Sequence, residues 1–314
     1  MSTILRIGTR RSDLALTQTN MVGEALLSHF PDLKLEVVPI LTSGDQKQGT
    51  SAAAHGDKKD WVAEIEQALV ADRIDFAVHS AKDVPVDLAP ETDILPTLSR
   101  ATPHDVLITR VNEKIGSFRD LPRDAALGTA SLRRVAQLKR LRRDFALRAV
   151  RGNVPTRVRK LDEDPTLAGI VLAAAGVSRL GLNVQLTKFS TAELVPAVNQ
   201  GILAVQFLSS RNDVRERLER LIEPRTLHAF NAERACVAAL GADCKSALGV
   251  YAESRGDSTT LTVRVLSADG SEILEETRSA LNHEAVQLGA DVATKLLEQG
   301  AAELLSGRSL LAAR

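Results

Sequence analysis

Short apolar runs alternate with helix-period segments along most of the chain. "ILRIG" (4–8), "LEVVPIL" (35–41) and "DFAVHS" (75–80) predict strands rich in Val, Ile and Leu. Between the last two, Trp61, Ile65, Ala68 and Leu69 recur at the 3.6-residue spacing of a helix with one buried face. The alternation resumes with "DVLITR" (105–110), "AALGTA" (125–130), "ALRAV" (146–150) and "GIVLAAAG" (169–176). Nearly continuous apolar strands separated by helices predict an α/β fold whose sheets are mainly parallel and covered on both faces.

The texture changes after residue 220. "TTLTVRVLSADGSEILEETRSA" (259–280) reads as two alternating strands around Asp269-Gly270, a hairpin signal. Ala285, Leu288, Val292 and Leu296 then mark an amphipathic helix that Gly300 terminates as its C′ residue. This predicts a small antiparallel α+β domain, and three domains in all.

One pattern repeats. "RIGTRRSDLALTQ" and "ALGTASLRRVAQL" each give strand, Gly-Thr, a polar turn with Ser, then helix. Gly8-Thr9 and Gly128-Thr129 are expected at equivalent strand ends in two lobes. Ser12 and Ser131 are candidate N-caps, because a serine oxygen accepts from the first free helical N–H groups. Such ends also attract anions; ordinary capping and anion binding both remain open for each copy.

Charge adds a local signal. Forty Lys and Arg balance forty Asp and Glu, which argues against a general nucleic-acid or anionic-membrane binder. Yet the stretch from Arg133 to Lys160 holds eleven basic residues against one acid, Asp144. Single-stranded nucleic acid would call for stacking aromatics, and this segment offers only Phe145 in a chain that is 3% aromatic. Arginines dominate, as expected for bidentate recognition of carboxylates. Lys139, Arg140, Arg142 and Arg143 fit a solvated helix face. Arg133, Arg134, Arg151 and Arg157 follow strand C-terminal ends, where open α/β sheets place ligands, and are assigned to a small polyanion.

The N-terminus shows no long apolar stretch of a signal peptide, and no run approaches the ~18 apolar residues of a membrane span. The two cysteines, Cys236 and Cys244, form neither a disulfide framework nor a zinc signature, so a cytoplasmic, reducing compartment and no metal are expected. "AVHSAKDVPV" puts Lys82 and Asp83 directly after an apolar strand, where a carboxylate could stabilise a cationic intermediate. A plain capping role is the alternative. Cys244 lies in the Gly- and Ala-rich "LGADCKSALG", beside Lys245, which favours thiolate. Cys236, in a helical run, reads as a small buried hydrophobe.

Together, "LRIGTRRSDLAL", "HSAKDVP", "GTASLRR", "RGNVPTR", "LAAAGVSRLGL", "PAVNQG" and "NAERA", followed by the cysteine loop, resemble the porphobilinogen deaminase (hydroxymethylbilane synthase) family over nearly the entire chain. The resemblance implies two periplasmic-binding-protein-like lobes plus a small C-terminal α+β domain. Lobe 1 would comprise residues 1–99 and 199–216, lobe 2 residues 100–198, and the cysteine-bearing domain residues 217–314. It implies a dipyrromethane cofactor, built from substrate and held covalently by Cys244. It implies porphobilinogen as substrate, a monomer, and no nucleic-acid or membrane partner. Arg10, Ser12, Lys82, Thr129, Ser131, Arg133, Arg134, Arg151, Arg157 and Arg179 match the family's contacts to the acidic arms of the growing chain. Asp83 matches the acid that binds pyrrole N–H groups and offsets positive charge as ammonia leaves. Four condensations then precede release of hydroxymethylbilane by water.

The pattern departs from the family in places. "GDKKDW" (56–61) stands where the family has a Gly-Gly-Lys-Gly-Leu-Phe lid, with Lys58 on the family lysine, Trp61 on its Phe and two glycines missing. Ala54 replaces an upstream lysine, Ala81 a methionine and Asn199 a glycine, and "GADCKSALG" is an unusual cysteine loop. These departures leave a second reading: a divergent relative that binds oligopyrroles with little turnover.

Overall fold

The computed structural model describes residues 4–47, 59–110, 115–242 and 246–310. The first apolar runs become β1 (Ile4–Arg10), α1 (Asp13–His29), β2 (Lys34–Ile40), α2 (Ser43–Lys47), α3 (Lys59–Val70), β3 (Phe76–Ser80) and β4 (Thr92–Thr97). Next come β5 (Asp105–Thr109), β6 (Ala126–Gly128), α4 (Leu132–Leu141), β7 (Ala146–Arg148), α5 (Val154–Glu163), β8 (Gly169–Ala173), α6 (Ala174–Arg179) and β9 (Gln185–Lys188). The chain continues through β10 (Leu203–Leu208), α7 (Asn212–Glu219) and α8 (Pro224–Leu240). It ends with β11 (Ala247–Arg255), β12 (Ser258–Leu266), β13 (Ile273–Leu281), α9 (Ala285–Glu298) and α10 (Ala301–Leu305).

These elements form two compact units, residues 1–101 with 201–230 and residues 102–200 with 231–314. The first unit holds a five-stranded sheet of order β2-β1-β3-β10-β4. Its strands alternate faces: Phe76 and Val78 pack with Leu5, Ile7, Val22 and Leu26, while Ala77 packs on the opposite side with Ile65, Leu69 and Ile74. Each fully buried Leu or Ile there contributes roughly 1.5–3 kcal/mol. Helix α3 turns Ile65, Ala68 and Leu69 inward as the periodicity predicts, with Val62 buried in place of Trp61, which is half-buried.

The second unit repeats the plan with order β7-β6-β8-β5-β9. Val106, Ile108, Ile170 and Leu172 face one core; Leu107, Leu127 and Val171 face another with Leu138 and Phe145. β6 therefore occupies the place in its sheet that β1 holds in the first, and the two Gly-Thr pairs stand at equivalent strand ends. The same unit includes the antiparallel sheet β11-β12-β13, whose hairpin turns at Gly270 with φ +73°. Ala136 of α4 packs with Ala247 and Leu266 of this sheet. Helix α9 buries Leu288, Val292 and Leu296, and Gly300 follows it with φ +99°.

Two expectations need adjustment, and three strands went unread. The two large sheets are mixed, because β10 pairs antiparallel with β3 and β4, and β5 antiparallel with β8 and β9. Strand spacing carries no information about direction. "GIVLAAAG" divides at Ala174, where the strand gives way to α6; once the β-branched residues stop, alanine favours helix. β4, β9 and β10 carried no prediction. β4 is an edge strand interrupted by Pro96, which weakens its reading as a strand.

Candidate functional site

In the first unit, β1 and β3 run parallel, so the residues after them share one edge of the sheet. Ser12 accepts from the Ala15 N–H at 3.3 Å and caps α1. After β3 the chain makes a single 3-10 turn, Ala81–Asp83, tied down by Ala81 N–H donating to the Ile202 carbonyl at 3.0 Å. Ala81 is buried, which leaves Lys82 and Asp83 half-buried. Asp83, Arg10 and Ser12 line one open concavity of about 420 Å³ together with Gln18, Trp61 and His79. Lys82 is not among its lining residues.

Neighbours fix this arrangement. Gln18 Nε2 donates to Ser80 Oγ at 2.9 Å, joining α1 to the end of β3. Arg10 pairs with Asp45 of α2 at 2.5 Å, and its guanidinium carbon lies 4.2 Å from the Trp61 ring centroid. Burial pushes the Asp45 carboxyl up, but hydrogen bonds and charge from Arg10, with help from Thr42, outweigh it and hold it below the usual range. Burial pushes His79 down to about 4, so its imidazole is neutral at pH 7.

In the second unit β6, β7 and β8 are parallel, and Thr129, Ser131, Arg133, Arg134, Arg151, Arg157 and Arg179 all follow their C-terminal ends. Thr129 is buried and its N–H donates to the Arg148 carbonyl at 2.8 Å. Ser131 caps α4, accepting from the Arg134 N–H at 3.5 Å. In "RGN", Gly152 has φ +120°, and a Cβ there would meet the Thr156 methyl at 2.7 Å. Asn153 then caps α5 through the Thr156 N–H at 2.9 Å, and Arg157 Nε donates to the Gly152 carbonyl at 2.6 Å. Arg179 ends α6, where burial pushes its pKa down to about 10.

Arg133 and Arg134 differ from the expectation of open cations. Both are buried and converge on Asp105, Arg133 Nη1 at 2.7 Å and Arg134 Nη2 at 2.8 Å. Arg133 also donates to the Val195 carbonyl and Arg134 to the Val171 carbonyl. Burial alone would raise the Asp105 carboxyl; two guanidinium groups and Gln200 outweigh it and hold it far below the usual range. The group keeps one net positive charge, and among the described residues the buried Arg133 Nε has no hydrogen-bond partner.

Two of the four residues expected on a solvated face, Lys139 and Arg142, are half-buried. Lys139 donates to the Phe145 carbonyl at 2.6 Å, and Arg142 to the Leu121 carbonyl at 2.8 Å and to Asp144. Arg140 and Arg143 are exposed. Lys58 and Cys244 lie outside the described residues. Trp61 stands in the first turn of α3, as its helical spacing predicts, although the resemblance set it on the Phe of a lid loop. Asp45, His79 and Asp105 carried no prediction. A lone acid opening the apolar "DVLIT", ahead of an arginine pair, was the available signal for Asp105.

The sheets and the strand-end groups define an α/β protein with two mixed five-stranded sheets of matching strand plan and a C-terminal α+β extension. Residues 5–216 match the family described as "Porphobilinogen deaminase, dipyromethane cofactor binding domain", and residues 227–298 match "Porphobilinogen deaminase, C-terminal domain". The chain belongs to the porphobilinogen deaminase family. Among its relatives, the porphobilinogen deaminase of Syntrophomonas wolfei is 42% identical, covering 96% of this chain and 97% of that one. Those of Natranaerobius thermophilus (39% identical; 96% and 98% covered) and Roseiflexus castenholzii (41%; 98% and 100%) are similar throughout. Of solved structures, the periplasmic aliphatic sulphonate binding protein of Escherichia coli is similar over 76% of this chain and 71% of that one, at 13% identity and a TM-score of 0.41.

Proposed function

We propose that this chain condenses four porphobilinogen molecules head to tail into hydroxymethylbilane, releasing ammonia at each step, with Asp83 as catalytic acid residue. The observation that carries the reading is the concavity that unites the Asp83 carboxylate with the Arg10 guanidinium and the Ser12-capped end of α1. Porphobilinogen has one pyrrole N–H and two carboxylate arms, and this set offers an acceptor for the first and donors for the second.

The residues also fit a dipyrromethane, which repeats the same chemistry. The donor set is cationic and hydroxylic, and the buried Arg133 Nε is a donor left over after the Asp105 pairing. Arg10, Ser12 and Lys82 in the first unit, and Thr129, Ser131, Arg151, Arg157 and Arg179 in the second, would hold acidic arms. Arg133 and Arg134 contribute chiefly a fixed positive wall. Cys244 would supply the thioether. When attached, the cofactor provides the free α-carbon that accepts a substrate unit.

Asp83 then acts on the incoming substrate. Its carboxylate accepts from the pyrrole N–H and faces the positive charge that grows as the aminomethyl C–N bond breaks. Opposite unit charges at 4 Å gain about 4 kcal/mol at an effective dielectric of 20, against about 1 in water. The difference of about 3 kcal/mol corresponds to roughly a hundredfold in rate. Asp83→Asn should therefore lower ammonia release by about two orders of magnitude or more, with porphobilinogen as sole substrate. Wild-type turnover in that variant would remove Asp83 from the reaction. We further propose a cytoplasmic monomer, since a reducing compartment keeps Cys244 available as a thiol; sizing by light scattering tests the monomer.

A further inference from the structure

We propose that Asp45 is a positioning residue which, with Trp61, holds the Arg10 guanidinium in one plane and presents its remaining edge to a substrate carboxylate. The inference rests on the reading that Arg10 binds an acidic arm of porphobilinogen. Asp45 grips one edge of the guanidinium: Oδ1 accepts from Nη2 at 2.5 Å, and Oδ2 from Nε at 3.4 Å. Trp61 covers one face, with its ring centroid 4.2 Å from the guanidinium carbon. Among the described residues Nη1 has no protein partner, so the Nη1–Nη2 edge is available for a second carboxylate.

The holder is itself fixed. Thr42 Oγ1 donates to Asp45 Oδ2 at 2.8 Å, and the Asp45 N–H donates back to Thr42 Oγ1 at 3.2 Å. Thr42 is buried. The Trp61 ring lies flat against Gly44, where a Cβ would come within 2.4 Å of it. Residues 42–45 thus supply the carboxylate, its brace and the gap that admits the indole. An arginine carries large rotamer freedom, and a fixed fork loses less of it on binding a planar anion. Asp45 also cancels the Arg10 charge, so recognition here depends on hydrogen-bond geometry more than on net attraction.

The opposite role, a built-in competitor that blocks Arg10 until substrate displaces it, predicts the reverse kinetics. Asp45→Asn keeps an oxygen for Thr42 but loses the charged grip. In the cofactor-loaded protein it should raise KM for porphobilinogen about tenfold while kcat stays within about threefold. An unchanged or lowered KM overturns the proposal. Trp61 is the single tryptophan, so its emission reports the stacking directly. The free Asp45→Asn protein should show a shifted emission spectrum relative to wild type, and identical spectra count against the holder. If that variant does not fold, Thr42→Val retains both charges and should raise KM about threefold; no rise is again fatal. Wild-type protein that released no ammonia would defeat the underlying reading instead, and the emission comparison would still decide the holder.

Discussion

His79 lies against the Asp83 concavity as a neutral group: burial, helped by Arg10 and only partly opposed by Gln206 and Asp83, brings its pKa from 6.5 to about 4. Below pH 6.5 the unfolded chain takes up this proton and the folded chain does not. The stabilisation from neutral His79 is therefore complete above about pH 6.5 and is lost as pH falls toward 4. Across that window it amounts to about 3 kcal/mol. Urea midpoints at pH 7 and pH 4.5 should differ less for His79→Gln than for wild type, and equal differences would discount this histidine. At this scale the sequence was readable where the cause is local. Ser12 and Ser131 cap helices that begin directly after them, and Asp83 follows its own strand. Asp45, His79 and Asp105 were opaque because their partners arrive from distant segments, as Arg10 does for Asp45 and Arg133 for Asp105.

Elements are joined by those long-range pairs. Asp105 opens β5, and the two arginines it holds form the first turn of α4, so one carboxylate ties a strand to a helix. Asp105→Asn would strand two buried guanidinium groups without the carboxylate that both of them pair with. It should cost about 3–5 kcal/mol, read as a lowered urea midpoint. A change below about 1 kcal/mol would mean that water reaches the pair. Strand positions other than β4, β9 and β10 were legible from apolar runs, helix faces from their 3.6 period, and the C-terminal hairpin from Asp269-Gly270. Strand direction was not, since β5 and β10 look the same from either end. The arginine-rich segment illustrates the same limit. Its residue types suggested a ligand, but backbone carbonyls that no spacing rule reveals hold Lys139 and Arg142.

For the molecule as a whole, family membership makes a statement about sulfur. Cys236 is buried, and burial with the nearby Glu233 pushes its thiol up to about 12, so it should not react in the native protein. If Cys244 carries the cofactor, denatured protein will titrate one thiol rather than the two the sequence contains. Its intact mass should exceed the sequence mass by two linked pyrroles. Two thiols and a clean sequence mass, after expression in a porphyrin-making host, would contradict the attachment.

The strand order of the first sheet has a temporal consequence. β10 lies between β3 and β4 and pairs with both, yet it follows the whole of β5 to β9 in the chain. As the polypeptide leaves the ribosome, β1 to β4 must wait with a gap at the position β10 will fill. The later-made sheet, β5 to β9, is complete by Lys188. Synthesis order and completion order are thus inverted, and the edges of β3 and β4 that flank the gap stay open to mispairing until β10 is made.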